Sequence, residues 1–150
     1  MGRNELSVSV VIECPPAVVF DYLADHRHVA PVFEGVRRWE PITTKATGVG
    51  ARFNVQIIAV GLPLSGTLRL DRWNRPHVIG WMSESGLIPN EGSFTFTKVP
   101  EGTRLTLTLV YQPPAAVLGA AISRRADFVV RRRLERALET IQEKLESGGK

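Results

Sequence analysis

A chain of 150 residues has the common size of one domain, and its 43% hydrophobic and 23% charged content excludes a disordered tail or a fibrous repeat. Cys14 is the only cysteine, which excludes an intrachain disulfide, supplies no metal cluster and agrees with a reducing compartment. No apolar run approaches the ~18 residues of a membrane span, and Met1-Gly2-Arg3-Asn4-Glu5 lacks the apolar stretch of a signal peptide. A single cytoplasmic domain over residues 1–150, without a transmembrane segment, is the expectation.

From Leu6 to Glu13 the apolar Leu6, Val8, Val10 and Ile12 alternate with Ser7, Ser9 and Glu13, the pattern of a half-buried strand. Pro15 and Pro16 stop that strand, because proline has no ladder N–H, and open a short helix over about 16–24 with Val19, Phe20 and Leu23 toward a core. Residues 25–31 read as a second short turn or helix. Six strands follow, over roughly 36–43, 51–60, 64–73, 78–85, 92–99 and 103–112. Gly48 with Gly50, Gly61 with Pro63, Asn74 with Pro76, Pro89-Asn90 with Gly92, and Pro100 with Gly102 separate them. Connections this short make neighbouring strands antiparallel, and the lack of helix-length crossovers excludes a nucleotide-binding α/β sheet. Gly48 and Gly50 precede a strand where a phosphate loop would open a helix, so no phosphate loop is expected.

Pro113 and Pro114 end the last strand, and a helix over about 115–146 carries the stripe Leu118, Ile122, Ala126, Val130, Leu134, Leu138, Ile141 and Leu145. At ~1.5 Å per residue such a helix spans over about 40 Å, enough to cross a small sheet. Its stretch from Arg124 to Arg136 holds as much net positive charge as the whole protein. Arginines 124, 125, 131, 132, 133 and 136 stand against Asp127 and Glu135, a local surplus equal to the net +4 of the whole chain. Arg131, Arg132, Arg133 and Arg136 are candidates for contact with an anionic surface, lipid or ribosomal RNA; the competing reading is a solvated face with pairs such as Asp127 to Arg131 and Arg132 to Glu135.

Alternation assigns the face of each strand. Phe53, Val55 and Ile57, Leu68 and Leu70, Phe94 and Phe96, and Leu105, Leu107, Leu109 and Tyr111 fall on one side. Arg52, Asn54 and Gln56, Thr67, Arg69 and Asp71, Ser93, Thr95 and Thr97, and Arg104, Thr106 and Thr108 fall on the other. The strand over 78–85 is ambiguous, since Ile79 and Trp81 share a parity with Ser83 while Val78 and Met82 share one with Glu84. An apolar face fits a solid core as well as a cavity wall. The inward polar groups are few: the Tyr111 hydroxyl, the Trp81 indole N–H, Ser83, and Tyr22 from the first helix.

The run Glu13-Cys14-Pro15-Pro16-Ala17-Val18-Val19-Phe20-Asp21-Tyr22-Leu23-Ala24-Asp25, placed after a first strand, resembles the opening of the START-like, helix-grip (SRPBCC) superfamily, in particular its polyketide cyclase/dehydrase and lipid-transport branch. Gly48-Val49-Gly50-Ala51-Arg52-Phe53, Gly92-Ser93-Phe94-Thr95-Phe96, Gly102-Thr103-Arg104-Leu105-Thr106-Leu107, and Tyr111-Gln112-Pro113-Pro114 with Leu118-Gly119 resemble further pieces of that branch in the same order. The resemblance implies an α+β helix-grip fold: a curved seven-stranded antiparallel sheet wrapped around a long C-terminal helix, with two short helices after the first strand. It also implies a hydrophobic ligand in a cavity between sheet and helix, a lipid, isoprenoid quinone or polyketide. The walls would come from Phe53, Val55, Ile57, Leu68, Leu70, Trp81, Phe94, Phe96, Leu107, Leu109, Tyr111, Leu118 and Ile122. No cofactor is implied. A cyclase or dehydratase in the same cavity is the alternative, and no cyclase active-site set maps residue by residue onto this chain.

Cyclisation needs an acid or base and donors that hold an enolate oxygen. Tyr111 and Ser83 are the inward candidates, with Arg69 joining them only if a bulge reverses its strand locally. His26, His28 and His77 are the only histidines, and the first two are expected on an exposed turn, so no metal site is expected.

Overall fold

The computed structural model describes residues 4–59, 61–86, 89–112 and 120–148; the side chains of 59, 62, 120–126 and 148 lie outside that description. In chain order the elements are β1 (Asn4–Ile12), α1 (Pro16–Ala24), a 3-10 turn (His26–His28), α2 (Val29–Val32), β2 (Val36–Pro41), β3 (Arg52–Ala59), β4 (Leu62–Asn74), β5 (Val78–Ser85), β6 (Asn90–Val99), β7 (Gly102–Tyr111) and α3 (Ala120–Gly148). The expected order holds throughout, and α1 and β5 match the sequence reading at both ends. The start of the long helix, with Leu118 and Gly119, lies outside the described residues.

All seven strands form one curved antiparallel sheet in the order β1-β7-β6-β5-β4-β3-β2. Every neighbour from β2 to β7 is a chain neighbour, as hairpins demand, and only β1 is brought to the far side, beside β7. The helices between β1 and β2 make that crossing possible. Pro15, extended at φ −63° and ψ 153°, turns the chain from the end of β1 into α1, and Pro16 occupies the first turn, where a missing N–H costs nothing. The Asp25 carboxylate then accepts the Arg27 backbone N–H at 3.0 Å and opens the 3-10 turn. The Arg27 guanidinium grips the same carboxylate at 2.7 Å and holds it well below the usual carboxylate range.

The edges are managed in different ways. On β2 the exposed Arg37, Arg38 and Glu40 put charges along the strand, which discourages pairing with another chain. On β1 the long helix does the work. Gln142 Nε2 donates to the Val11 carbonyl at 2.7 Å, Arg131 Nη1 to the Ser7 carbonyl at 3.4 Å, and the Glu146 carboxylate accepts the Glu13 N–H at 2.9 Å. Polar side chains of α3 thus satisfy backbone groups that β1 would otherwise offer to solvent or to a second copy. Asp127 accepts from the Asn4 side-chain amide at the near end of the same strand, in place of the expected pair with Arg131.

Below this seam Leu134, Leu138, Ile141 and Leu145 of the expected stripe are buried, joined by Ala137, with Val130 half-buried. They pack with Leu6, Val8 and Ile12 of β1, Val19, Phe20 and Leu23 of α1, and the inner faces of β6 and β7. A second, separate cluster consists of Ala51, Phe53, Val55, Leu68 and Leu70 on β3, β4 and the turn before them. Trp73 and Trp81 touch both clusters. The core is therefore split, and the space between its halves is where the site lies.

Candidate functional site

Register determines what the inner face presents. On one row across the sheet Leu6 pairs with Leu109, Leu109 with Gly92, Gly92 with Trp81 and Trp81 with Leu70. Gly92 is the dent in that row. A Cβ there would lie 2.4 Å from Trp81 Cζ2 and 2.8 Å from the Thr108 carbonyl oxygen, so the indole occupies the space that a side chain would take. Gly92, the first strand residue in the sequence reading, lies two residues inside β6, and its missing side chain seats Trp81. Gly92→Ala is expected to cost about 1–3 kcal/mol by overpacking. A urea titration with near-ultraviolet circular dichroism checks this, the aromatic signal changing as Trp81 moves; an unchanged spectrum and midpoint would refute the seating.

Between the two core clusters the sheet, α2 and α3 enclose a cavity of about 510 Å³. Its volume lies in the range of small-molecule sites. Phe53, Val55, Ile57, Leu68, Leu70, Trp81, Phe94, Leu107, Leu109 and Tyr111 all line it, together with Val129, Val130 and Leu134 of α3. Phe96 does not. It packs on Phe20 of α1 with ring centroids 5.2 Å apart, within the solid part of the core, because α1 covers that end of β6. Leu118 and the Ile122 side chain lie outside the described residues.

The ambiguous strand is resolved by Ile79 and Trp81 facing inward, with Met82 and Glu84 on the outer face. Ser83 is not part of the wall: its hydroxyl accepts the Asn90 N–H at 3.0 Å and holds the β5–β6 connection together. Arg69 stays outside, donating to Glu84 at 3.1 Å beside Arg52, although β4 does carry a register shift between Thr67 and Leu68. These two arginines hold the Glu84 carboxyl below its usual range. Tyr22 is also absent from the wall; it stacks on His28 at 4.0 Å, and burial pushes its phenol up. The Cys14 thiol is half-buried and donates weakly to the Leu145 carbonyl, with burial and the nearby Glu146 and Glu13 raising its pKa.

Several wall residues escaped the sequence reading. A second register shift between Leu70 and Arg72 turns Trp73 inward, where strict alternation would have placed Arg72. The Arg72 guanidinium lies instead over Gly80 and donates to the Gly92 carbonyl at 3.1 Å. Trp39 of β2 stacks on Phe53 with centroids 5.6 Å apart. His26, expected on an exposed turn, lines the cavity with its ring 6.0 Å from that of Phe53. Bulges and loop placement carry no periodic signal, so alternation could not have found Trp73 or His26, whereas Trp39 stands between the exposed Arg38 and Glu40, a short alternation that did mark its face.

Besides His26, polar groups stand at two further places in this wall. Asn90 and Tyr111 are register partners at the ends of β6 and β7, and the Asn90 side-chain oxygen Oδ1 accepts the Trp81 indole N–H at 3.1 Å. The Tyr111 hydroxyl is buried and has no hydrogen-bond partner among the described residues. At the rim stand Glu34, after α2, and Arg133 of α3, whose Nη1 donates to the Ile58 carbonyl at 2.7 Å. No group of three or more potential metal ligands occurs among the described residues, and no helix there is long and apolar enough to cross a membrane.

Residues 3–146 match the family model described as polyketide cyclase/dehydrase and lipid transport. Among curated protein sequences none matches. The fold is similar to the crystal structure of TTHA0849 from Thermus thermophilus, with TM-score 0.84 and 21% identity, covering 98% of this chain and 100% of that one. It is also similar to the Zhui aromatase/cyclase of a Streptomyces species, with TM-score 0.75 and 19% identity over 99% of each chain. At these identities the likeness concerns the fold.

Proposed function

Because the chain belongs to the polyketide cyclase/dehydrase and lipid transport family, we propose that it binds a hydrophobic small molecule in the cavity between sheet and α3. The observation that carries this reading is the cavity itself: about 510 Å³ walled by apolar side chains of the sheet and of α3. Burial of apolar ligand surface supplies roughly 25 cal/mol per Å², and a small number of polar groups set orientation. A lipid, isoprenoid quinone or aromatic polyketide fits these terms. Native mass spectrometry of gently purified protein, followed by denaturing extraction, is the test. A stoichiometric hydrophobic adduct supports carriage or sensing; an empty protein that also fails to bind a panel of such compounds overturns it.

Cyclisation in the same cavity is a second reading, favoured by one feature, the Tyr111 hydroxyl at the wall, which has no partner among the described residues, with His26 elsewhere in the same lining. A buried hydroxyl without a partner costs about 1–3 kcal/mol, and a ligand oxygen that reaches it recovers that cost. Tyr111→Phe is expected to leave the ligand-free protein at least as stable in a thermal melt, since an unsatisfied group is removed and the ring is kept. A carrier should lose less than about tenfold in affinity. An enzyme that depends on the hydroxyl should instead keep binding and lose turnover of a polyketide substrate.

A further inference from the structure

The apolar cavity and the arginine run of α3 meet at one place. Glu34, Val129 and Arg133 line the cavity and also a second, shallower cleft of about 340 Å³ completed by Phe128, Arg132 and Arg136. Phe128, Arg132 and Arg136 are four residues apart on α3 and so form one stripe of the helix. The cleft sets three guanidinium groups against a single carboxylate.

Their engagements differ. Arg136 Nη1 meets Glu34 Oε1 at 2.6 Å across the cleft, with both side chains more than half exposed. Arg133 gives Nη1 to the Ile58 carbonyl, which places its guanidinium at the boundary between cleft and cavity and leaves further N–H groups on the fork. Arg132 is exposed and makes no ion pair among the described residues. Phe128 is 66% exposed, an apolar ring standing beside these charges.

An apolar chamber adjoining a cationic cleft is complementary to an amphiphile. We propose that the ligand carries an anionic oxygen head, a carboxylate or a phosphate monoester, and that this head sits among Arg132, Arg133 and Arg136, displacing Glu34 from Arg136. The proposal rests on the binding reading above and specifies its ligand. Guanidinium forks hold carboxylate and phosphate oxygens with two parallel hydrogen bonds, which suits the cluster to either head. Releasing Glu34 costs little, because an ion pair whose two side chains are more than half exposed is screened by solvent. In the free protein Glu34 thus keeps Arg136 partly neutralised, and in the complex the ligand takes over that role.

The test is displacement of the neutral dye Nile red from the full chain by four probes that share a dodecyl-length tail: dodecanoate, dodecyl phosphate, dodecanol and methyl dodecanoate. At least one of the two anions is expected to act at concentrations about tenfold below the alcohol and ester. Which anion is stronger identifies the head. The double variant Arg132→Gln with Arg136→Gln is expected to abolish that advantage and leave the neutral probes unchanged. Glu34→Gln, which removes the competitor, is expected to tighten anion binding roughly threefold relative to the neutral probes. Raising salt to about 1 M, where the Debye length is about 3 Å, should shrink the advantage in the unaltered protein. Equal displacement by charged and neutral probes overturns the head assignment and leaves hydrophobic binding standing. An anion preference that survives the double variant also overturns it. Failure of the protein to bind the dye or any probe overturns both readings together.

Discussion

Phe20→Ala is expected to remove about 3–5 kcal/mol of folding stability, the largest loss from any single truncation considered for this chain. Phe20 is 1% exposed and projects from α1 onto the sheet, edge-to-face with Trp73 at 5.3 Å and tilted against Phe96 at 5.2 Å. Truncation forfeits the transfer energy of the ring, two aromatic contacts worth about 0.5–1.5 kcal/mol each, and the fit of a site that cannot collapse. Trp73 and Phe96 are held by their strands and cannot follow. Since domains of this kind have about 5–15 kcal/mol in total, the loss is a large share. Urea denaturation measures it, with Val18→Ala on the exposed face of the same helix as the control. Val18 is 45% exposed, and its truncation should change stability by no more than about 0.5 kcal/mol. A loss below about 1 kcal/mol for Phe20→Ala would mean that α1 does not pack as described.

Leu109→Trp is expected to lower affinity for any ligand of the cavity by at least about tenfold while changing folding stability by less than about 1.5 kcal/mol. The two halves of this prediction come from one fact. Leu109 faces the cavity from the inner row, beside Gly92, so added ring atoms enter space that a ligand would fill. Leu105 lies two pairs further along the same face of β7, yet it is 0% exposed and surrounded by core. Leu105→Trp should therefore overpack and cost about 1–3 kcal/mol or more. Measuring both variants by urea denaturation and by dye displacement separates a chamber from a solid interior. Equal destabilisation by the two substitutions would show that Leu109 also sits in packed core, and the cavity reading would fail.

This contrast between Leu105 and Leu109 shows where alternation stops being informative. Both residues have the same parity, and both were assigned to the inner face from sequence. Parity reports which side of the sheet a side chain takes and nothing about what stands opposite it. At Leu105 the opposing matter is core supplied by other elements, and at Leu109 it is open volume. Phe96 and Phe94 divide in the same way, the first against Phe20 and the second on the wall. A family resemblance added the idea of a cavity; it could not say which inward residues would border it.

The arginine run gives a second instance. From sequence Arg131, Arg132, Arg133 and Arg136 formed one basic stretch. In the folded chain they part: Arg131 turns to the edge of β1, Arg133 reaches Ile58 on β3, Arg136 meets Glu34, and Arg132 is exposed. A helix rotates successive residues by about 100°, so neighbours in sequence address different partners, and only tertiary packing says which.

The amino-acid sequence on its own determined the number of strands and their order along the chain, the antiparallel pairing of strands joined by short connections, the proline-opened α1, the long amphipathic α3 and, for most strands, the side of the sheet that is apolar. These follow from local rules with fixed periods, two residues in a strand and about 3.6 in a helix, together with proline and glycine chemistry. Tertiary structure alone decided that the apolar face is split by a cavity, that register shifts in β4 turn Trp73 inward, that His26 borders the same space, and that Glu34 crosses to Arg136 over a distance of 102 positions in the chain. Those features depend on how far a curved sheet stands from the helix it grips, and that distance is set by the packing of every element at once.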